Sequence, residues 1–174
     1  MKQTPYYILH GLNGHSQENW FSWLKDELER RGEKVVAPDF PSPDFPQLKD
    51  WLAKLKSEIQ KHGEGVLIGH SLGGVLAMRY VESGGKPKKV ILVAAPYEKL
   101  VDVPMIDNFF KKPFKLTDKQ KFDIDFTVFG SDNDPYMGTD HFEWWGKLLG
   151  ITPRIIPGQF HFNEDKFPEI LEYL

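Results

Sequence analysis

One serine lies in a setting that favours nucleophilic chemistry, within the sequence GHSLG at positions 69–73. An apolar run typical of a buried strand, 66–68, precedes it, and a run typical of a helix, 74–81, follows it. A G-x-S-x-G sequence at a sharp strand-to-helix turn exposes the serine hydroxyl above free helix N–H groups that can hold an oxyanion. Neither glycine-rich phosphate-binding pattern occurs in the chain, which disfavours a nucleotide-binding turn. Ser71 is therefore the predicted nucleophile.

A serine hydroxyl becomes a strong nucleophile when a histidine takes its proton and a carboxylate fixes the tautomer of that histidine. On the architecture that the elbow predicts, the chain order is serine, acid, histidine, and each follows a strand. His161 comes just after the apolar run 154–156 and is the one histidine in the required place. We expect His62 and His141 on the surface, and His70 packed on the opposite side of the strand end from the nucleophile.

The acid is expected after the preceding apolar run, 124–129, where the sequence offers two carboxylates, Asp132 and Asp134. Both are common turn residues, so either could have a purely structural role in the loop. Asp134 is favoured because Pro135 directly follows it and rigidifies the chain. Asp132 stays open as the alternative acid.

Two backbone N–H groups are expected to stabilise the oxyanion. One belongs to Leu72, the residue after the nucleophile. The other should come from the loop after the first strand, 10–14, where two glycines let the backbone turn inward. Leu12 is the best candidate in that loop.

The composition describes one folded domain over residues 1–174. Hydrophobic residues make up 40% of the chain and aromatic residues 14%, which is typical of a globular protein. A net charge of −3 gives no reason to expect nucleic acid as a partner. The chain has no cysteine, and its longest apolar run, 90–95, is far too short to span a membrane. We expect a soluble, cytoplasmic protein without membrane association.

Six short apolar runs alternate with segments of helical periodicity. The expected strands are 6–9, 34–37, 66–68, 90–95, 124–129 and 154–156. This alternation favours βαβ units that wind into a mostly parallel sheet of about six strands with helices on both faces. Because ligands bind at the carboxyl ends of such strands, this α/β fold brings the serine, the acid and the histidine to one edge.

Residues 96–121 interrupt the alternation, and we expect them to form a short, irregular, cap-like excursion. The segment contains Phe109, Phe110 and Phe114, which we expect to bind substrate as one apolar wall of the crevice. It also contains five lysines between positions 111 and 121. Such a charge run is usually a solvated face, and a mild preference for anionic substrates is the functional alternative.

Several motifs in chain order carry a resemblance to a known family. They are HGLNG at 10–14, PDFP at 38–41, the elbow at 69–73, SDNDPY at 131–136 and HFN at 161–163. Together they resemble the small α/β-hydrolases of the RBBP9/YdeN type over nearly the whole chain. The resemblance implies a serine hydrolase without a large lid domain, with Ser71, Asp134 and His161 as its triad. That family usually has glycine before the histidine, where this chain has Phe160.

The sequence thus predicts an enzyme with a minimal α/β-hydrolase fold, which cleaves small carboxylic esters through a covalent acyl-enzyme. We expect a small-molecule ester as the binding partner, and neither a cofactor nor a metal. The alternative is a protein-interaction module with little or no catalytic role, using the aromatic residues 109–114 as a contact surface. A complete triad argues against that alternative, because a pure binding module has no need of one.

Overall fold

A computed structural model describes residues 3–174, and its centre is one sheet of six strands. The strands are β1 Pro5–Leu9, β2 Lys34–Val36, β3 Val66–His70, β4 Lys89–Val93, β5 Asp125–Ser131 and β6 Arg154–Ile156. Their order is β2-β1-β3-β4-β5-β6, and every neighbouring pair is parallel. The predicted α/β fold is confirmed, and the sheet is parallel throughout where a mostly parallel one was expected.

Helices connect the strands. They are α1 Phe21–Arg30, α2 Leu48–His62, α3 Leu72–Glu82, α4 Asp118–Asp123 and α5 Asp140–Leu149, with 3₁₀ helices at Pro104–Phe110 and Pro168–Tyr173. Helix α1 buries Phe21, Leu24 and Leu28, which recur at helical spacing. Helix α3 is buried on nearly every side, because it packs against β3, β4 and α2. Within residues 3–174, no helix has the length and apolarity needed to cross a membrane.

Two hydrophobic cores cover the two faces of the sheet. Successive strand residues alternate between them, so that Leu67 enters one core and Ile68 the other. The larger core lies under α2, α3 and α5 and includes Trp51 and Trp145, while the smaller lies under α1 and includes Trp20. Helices therefore cover both faces, as the near-continuous apolar strands predict.

The sheet ends on both sides in strands of only three residues. Strand β2 lies beyond β1, and β6 lies beyond β5. The three residues of β2 and the last two of β6 are partly buried. The longer strands are therefore the four central ones, β1, β3, β4 and β5.

The segment 96–121 is more regular than the sequence predicts. It contains the 3₁₀ helix Pro104–Phe110 and the first turn of α4. Helix α4 begins with a capping box, in which Thr117 and Gln120 satisfy each other's backbone N–H groups. This corrects the expectation of an irregular excursion, since both helical turns have identifiable causes in Pro104 and in the capping box.

Candidate active site

Ser71 lies on the turn between β3 and α3, and its backbone has a conformation that residues other than glycine rarely adopt. Its φ is 52° and its ψ is −122°, and such strain is typical of a nucleophile elbow. The Ser71 N–H donates to the carbonyl of Val93 at 2.8 Å, which ties the turn to the end of β4. Gly69 and Gly73 are both required, because a Cβ on the first would meet the start of α3 and one on the second would meet the carbonyl of Leu9.

His161 and Asp134 form a close pair after strands β6 and β5. The Nδ1 atom of His161 lies 2.7 Å from Oδ2 of Asp134, and the Asp134 side chain is fully shielded from solvent. The other carboxylate oxygen accepts the N–H of Tyr136 at 2.9 Å. With Nδ1 engaged by the carboxylate, Nε2 is the nitrogen of His161 that remains to exchange a proton.

Three consecutive side chains at the end of β5 accept hydrogen bonds from three consecutive backbone N–H groups just before His161. The pairs are Ser131 with Gln159, Asp132 with Gly158, and Asn133 with Phe160, at 2.8–3.0 Å. We call this set the loop brace. Asp132 is therefore engaged with the backbone, whereas Asp134 meets the ring of His161. The structure brings together the favoured acid and the histidine.

Two buried side chains, His70 and Trp20, form hydrogen bonds with backbone carbonyls at and next to His161. His70 Nε2 lies 2.7 Å from the carbonyl oxygen of His161, and the indole N–H of Trp20 donates to the carbonyl of Phe162 at 3.0 Å. Burial, with a smaller repulsion from His161, lowers the pKa of His70 to about 3. His70 is therefore neutral at pH 7, with its proton on Nε2, where the carbonyl requires a donor. As expected, it is a packed group, but it lines the same cavity as Ser71 and does not lie on the opposite side of the strand end.

Phe160 directly precedes His161, and its backbone has the left-handed conformation. Its φ is +48°, and its side chain is largely exposed. Phe162, on the other side of His161, has a φ of +55° but is buried. Glycine would adopt the backbone conformation of either residue at lower cost.

A cavity of about 520 Å³ opens beside Ser71 at the carboxyl ends of the strands. Ser71 and His161 both line it, and so do Leu12 and Leu72, the two expected oxyanion donors. Within residues 3–174, Glu18 is the one acidic or basic side chain on its wall besides histidine. Burial raises the pKa of the Glu18 carboxyl above its usual range.

The apolar wall of this active-site cavity differs from the predicted one. It is formed by Leu100, Val103 and Ile106, which line the cavity together with Leu12. Ile106 lies on the 3₁₀ helix Pro104–Phe110, so the excursion does reach the site.

Phe109, Phe110 and Phe114 do not line the active-site cavity, which corrects their expected role in substrate binding. Phe109 and Phe114 are buried in the core, where Phe109 packs against Trp51 and Phe114 against Trp145. Phe110 is partly buried and packs against Phe114. These rings anchor the excursion to the domain.

Two further expectations change. His141 is buried, and its Nδ1 accepts the N–H of Tyr97 at 3.2 Å, because it lies on the inner face of α5.

Lys111, Lys112 and Lys115 line a different cavity from Ser71, so they give no reason to expect anionic substrates there. Within residues 3–174, no three His, Asp or Glu side chains cluster closely enough to hold a metal ion.

A family model described as serine hydrolase matches residues 6–173. The chain belongs to this serine hydrolase family. The match covers nearly the whole chain and includes the elbow, the Asp134–His161 pair and the loop brace. Family membership supports hydrolase activity.

Individual relatives agree with this assignment. YdeN of Bacillus subtilis is 34% identical over 112 residues, which is 62% of this chain and 59% of YdeN. The crystal structure of YdeN superposes with a TM-score of 0.88 at 25% identity, covering 98% of this chain and 96% of that one. The serine hydrolase RBBP9 of Rattus norvegicus is 26% identical over 161 residues, 87% of this chain and 82% of RBBP9.

A more distant solved structure shares the fold. A carboxylesterase structure from the thaumarchaeon Nitrososphaera gargenis has a TM-score of 0.79 at 12% identity and covers 99% of this chain and 88% of that one. The resemblance to the RBBP9/YdeN-type hydrolases is thus confirmed by the family model, by sequence relatives and by the fold.

Proposed function

We propose that this serine hydrolase cleaves small carboxylic esters through a covalent acyl-enzyme, with Ser71 as nucleophile, His161 as base and Asp134 as the orienting acid. The 2.7 Å contact between His161 Nδ1 and Asp134 Oδ2 is the observation that carries the proposal. It leaves Nε2 as the basic nitrogen of a histidine that lines the same cavity as Ser71.

In the proposed reaction, Ser71 Oγ attacks the ester carbonyl carbon while its proton passes to Nε2 of His161. The carbonyl oxygen becomes an oxyanion and accepts hydrogen bonds from the N–H groups of Leu12 and Leu72. Collapse of this intermediate expels the alcohol, which takes the proton from His161. Water then repeats the sequence and releases the carboxylic acid, while Asp134 stabilises the imidazolium in both halves.

Esters are the proposed substrate class for two reasons. A relative in fold is described as a carboxylesterase, and the cavity has an apolar wall of Leu100, Val103 and Ile106 that suits an acyl chain. The charge on the wall is a carboxylate, Glu18, which disfavours an anionic acyl group.

The protein-interaction alternative loses its main support in this structure. It depends on exposed aromatic residues at 109–114, but Phe109 and Phe114 are buried. Catalysis is therefore the function that we propose.

Labelling with a fluorophosphonate probe tests this function, because the reaction requires an activated serine and no knowledge of the substrate. We expect one adduct, located on Ser71 by mass spectrometry, and none in Ser71→Ala. The variant Ser57→Ala is the matched control, since Ser57 is exposed on α2 and should leave labelling unchanged. An adduct on another serine, or no adduct on the folded protein, would contradict the mechanism.

A further inference from the structure

A second cavity, of about 710 Å³, lies on the other side of the 3₁₀ helix Pro104–Phe110 from the active-site cavity. Ile106 of that helix faces the cavity beside Ser71, whereas Asn108 and Phe109 face this one. We call it the lysine cavity. Its size falls within the usual range for sites that bind small molecules.

The charge on the lysine cavity is opposite to that of the whole chain. Arg79, Lys111, Lys112 and Lys115 line it, against one carboxylate, Glu82. The chain as a whole carries a net charge of −3. Four cations around one small cavity therefore form a local positive field on an acidic protein, which favours an anionic ligand.

The three lysines are free to meet such a ligand, whereas Arg79 is not. The Arg79 side chain donates to the carbonyls of Phe109 and Lys112 at 2.8 and 2.5 Å and pairs with Glu82 at 2.5 Å. Among the described residues, 3–174, no carboxylate forms an ion pair with Lys111, Lys112 or Lys115. All three are exposed.

Apolar and cationic side chains of the cavity wall come from different elements. Leu48 and Leu52 of α2 supply partly exposed apolar side chains, and the segment 111–115 supplies the lysines. A molecule with one anionic head and an apolar tail fits this arrangement, because its tail can pack on the leucines while its head pairs with the lysines. An acidic peptide, with charges spaced along its length, matches it less well.

We propose that the lysine cavity binds a single-chain anionic amphiphile of the fatty carboxylate class. The tail lies on Leu48 and Leu52, and the carboxylate meets Lys111, Lys112 and Lys115. This site is separate from Ser71 and does not depend on catalysis.

Calorimetric titration of the full chain with dodecanoate, below its micelle concentration, tests the proposal. Dodecyltrimethylammonium has the same tail with the opposite charge and is the matched ligand. We expect dodecanoate to bind at least tenfold more tightly than the cation, with an affinity that falls as salt rises. Equal affinities for the two amphiphiles, or no binding of dodecanoate, would overturn the proposal.

Variants of the protein locate the site. We expect Lys111→Glu/Lys112→Glu to weaken dodecanoate binding about tenfold or more, which corresponds to about 1.4 kcal/mol. The control Lys56→Glu/Lys86→Glu changes the net charge equally at exposed positions outside the cavity and should have little effect. An affinity that does not respond to the first pair would place dodecanoate elsewhere, including beside Ser71, and would overturn the proposal.

The apolar half of the site needs its own variant. Leu52→Ser should weaken dodecanoate binding severalfold, because part of the surface that receives the tail is lost. Circular dichroism on the same sample establishes that the variant is folded. If Leu52→Ser leaves the affinity unchanged while the lysine variants lower it, the site attracts anions only and the proposed amphiphile is wrong.

Discussion

Two neighbouring carboxylates after β5 have different partners, and this difference favours Asp134 as the proposed acid. Asp134 holds the ring of His161 from a position closed to solvent, while Asp132 holds the backbone N–H of Gly158. Sequence spacing places both in the correct loop but does not separate them. The choice depends on where that loop meets the chain some 27 residues later, which is a tertiary contact.

Asp134→Asn is expected to lower kcat by about 10⁴, because the amide holds the wrong tautomer of the histidine. Asp132→Asn is the control and should lower kcat less than tenfold, since the amide oxygen still accepts the N–H of Gly158. Steady-state hydrolysis of a p-nitrophenyl ester measures both. The opposite order of effects would transfer the role of acid to Asp132.

His70 gives the protein a predictable sensitivity to acid. Its pKa is near 3 when folded and near 6.5 when unfolded, so below pH 6.5 the unfolded chain takes up a proton that the native protein excludes. This one group should therefore cost about 2 kcal/mol of unfolding free energy between pH 7 and pH 5. In His70→Gln, urea unfolding should show a correspondingly smaller loss over this interval. An equal loss in both proteins would mean that His70 is not kept neutral.

The helices and loops show which signals a sequence carries and which it does not. Apolar runs predict all six strands, because a parallel sheet buries both faces of its strands. The capping box of α4 at Thr117 and Gln120 was present in the sequence and could have predicted that helix. The direction in which Phe109 points could not be predicted, since it is set by how the 3₁₀ helix packs on α3.

The loop that holds His161 contains a backbone strain that can be measured at Phe160. Because its φ is +48°, Phe160→Gly should be about 1 kcal/mol more stable than Phe160→Ala. Phe122 is the matched control, because it is exposed on α4, and there the order should reverse by about 1 kcal/mol. Urea unfolding of the four variants measures both differences. If alanine is as stable as glycine at position 160, the left-handed conformation is not maintained in solution.

Across the whole molecule, opposite charges lie on two neighbouring cavities. The active-site cavity has Glu18 on its wall, and the lysine cavity has four cations. The 3₁₀ helix Pro104–Phe110 contributes to both walls and so keeps the two environments apart. The lysine run was visible in the sequence, but the cavity on which it opens was not, because that depends on how the excursion folds back onto α2 and α3.

The short apolar wall of the active-site cavity predicts a preference for short acyl chains. Each buried methylene contributes about 0.8 kcal/mol, so kcat/KM should rise over the first few carbons and then level off once the wall of Leu100, Val103 and Ile106 is covered. A series of p-nitrophenyl esters from acetate to palmitate measures this, with hexanoate as the expected upper end of the preferred range. Activity that continues to rise to palmitate would indicate a deeper acyl tunnel.

The shortness of the two outer strands bears on how these molecules behave when crowded together. An exposed strand edge offers unpaired N–H and C=O groups to which another chain can add, and long flat edges promote aggregation. Here each outer strand is only three residues long and starts with a cation, Lys34 in β2 and Arg154 in β6. Two approaching copies would therefore gain few hydrogen bonds and would bring like charges together. Both outer strands therefore disfavour the addition of a second chain.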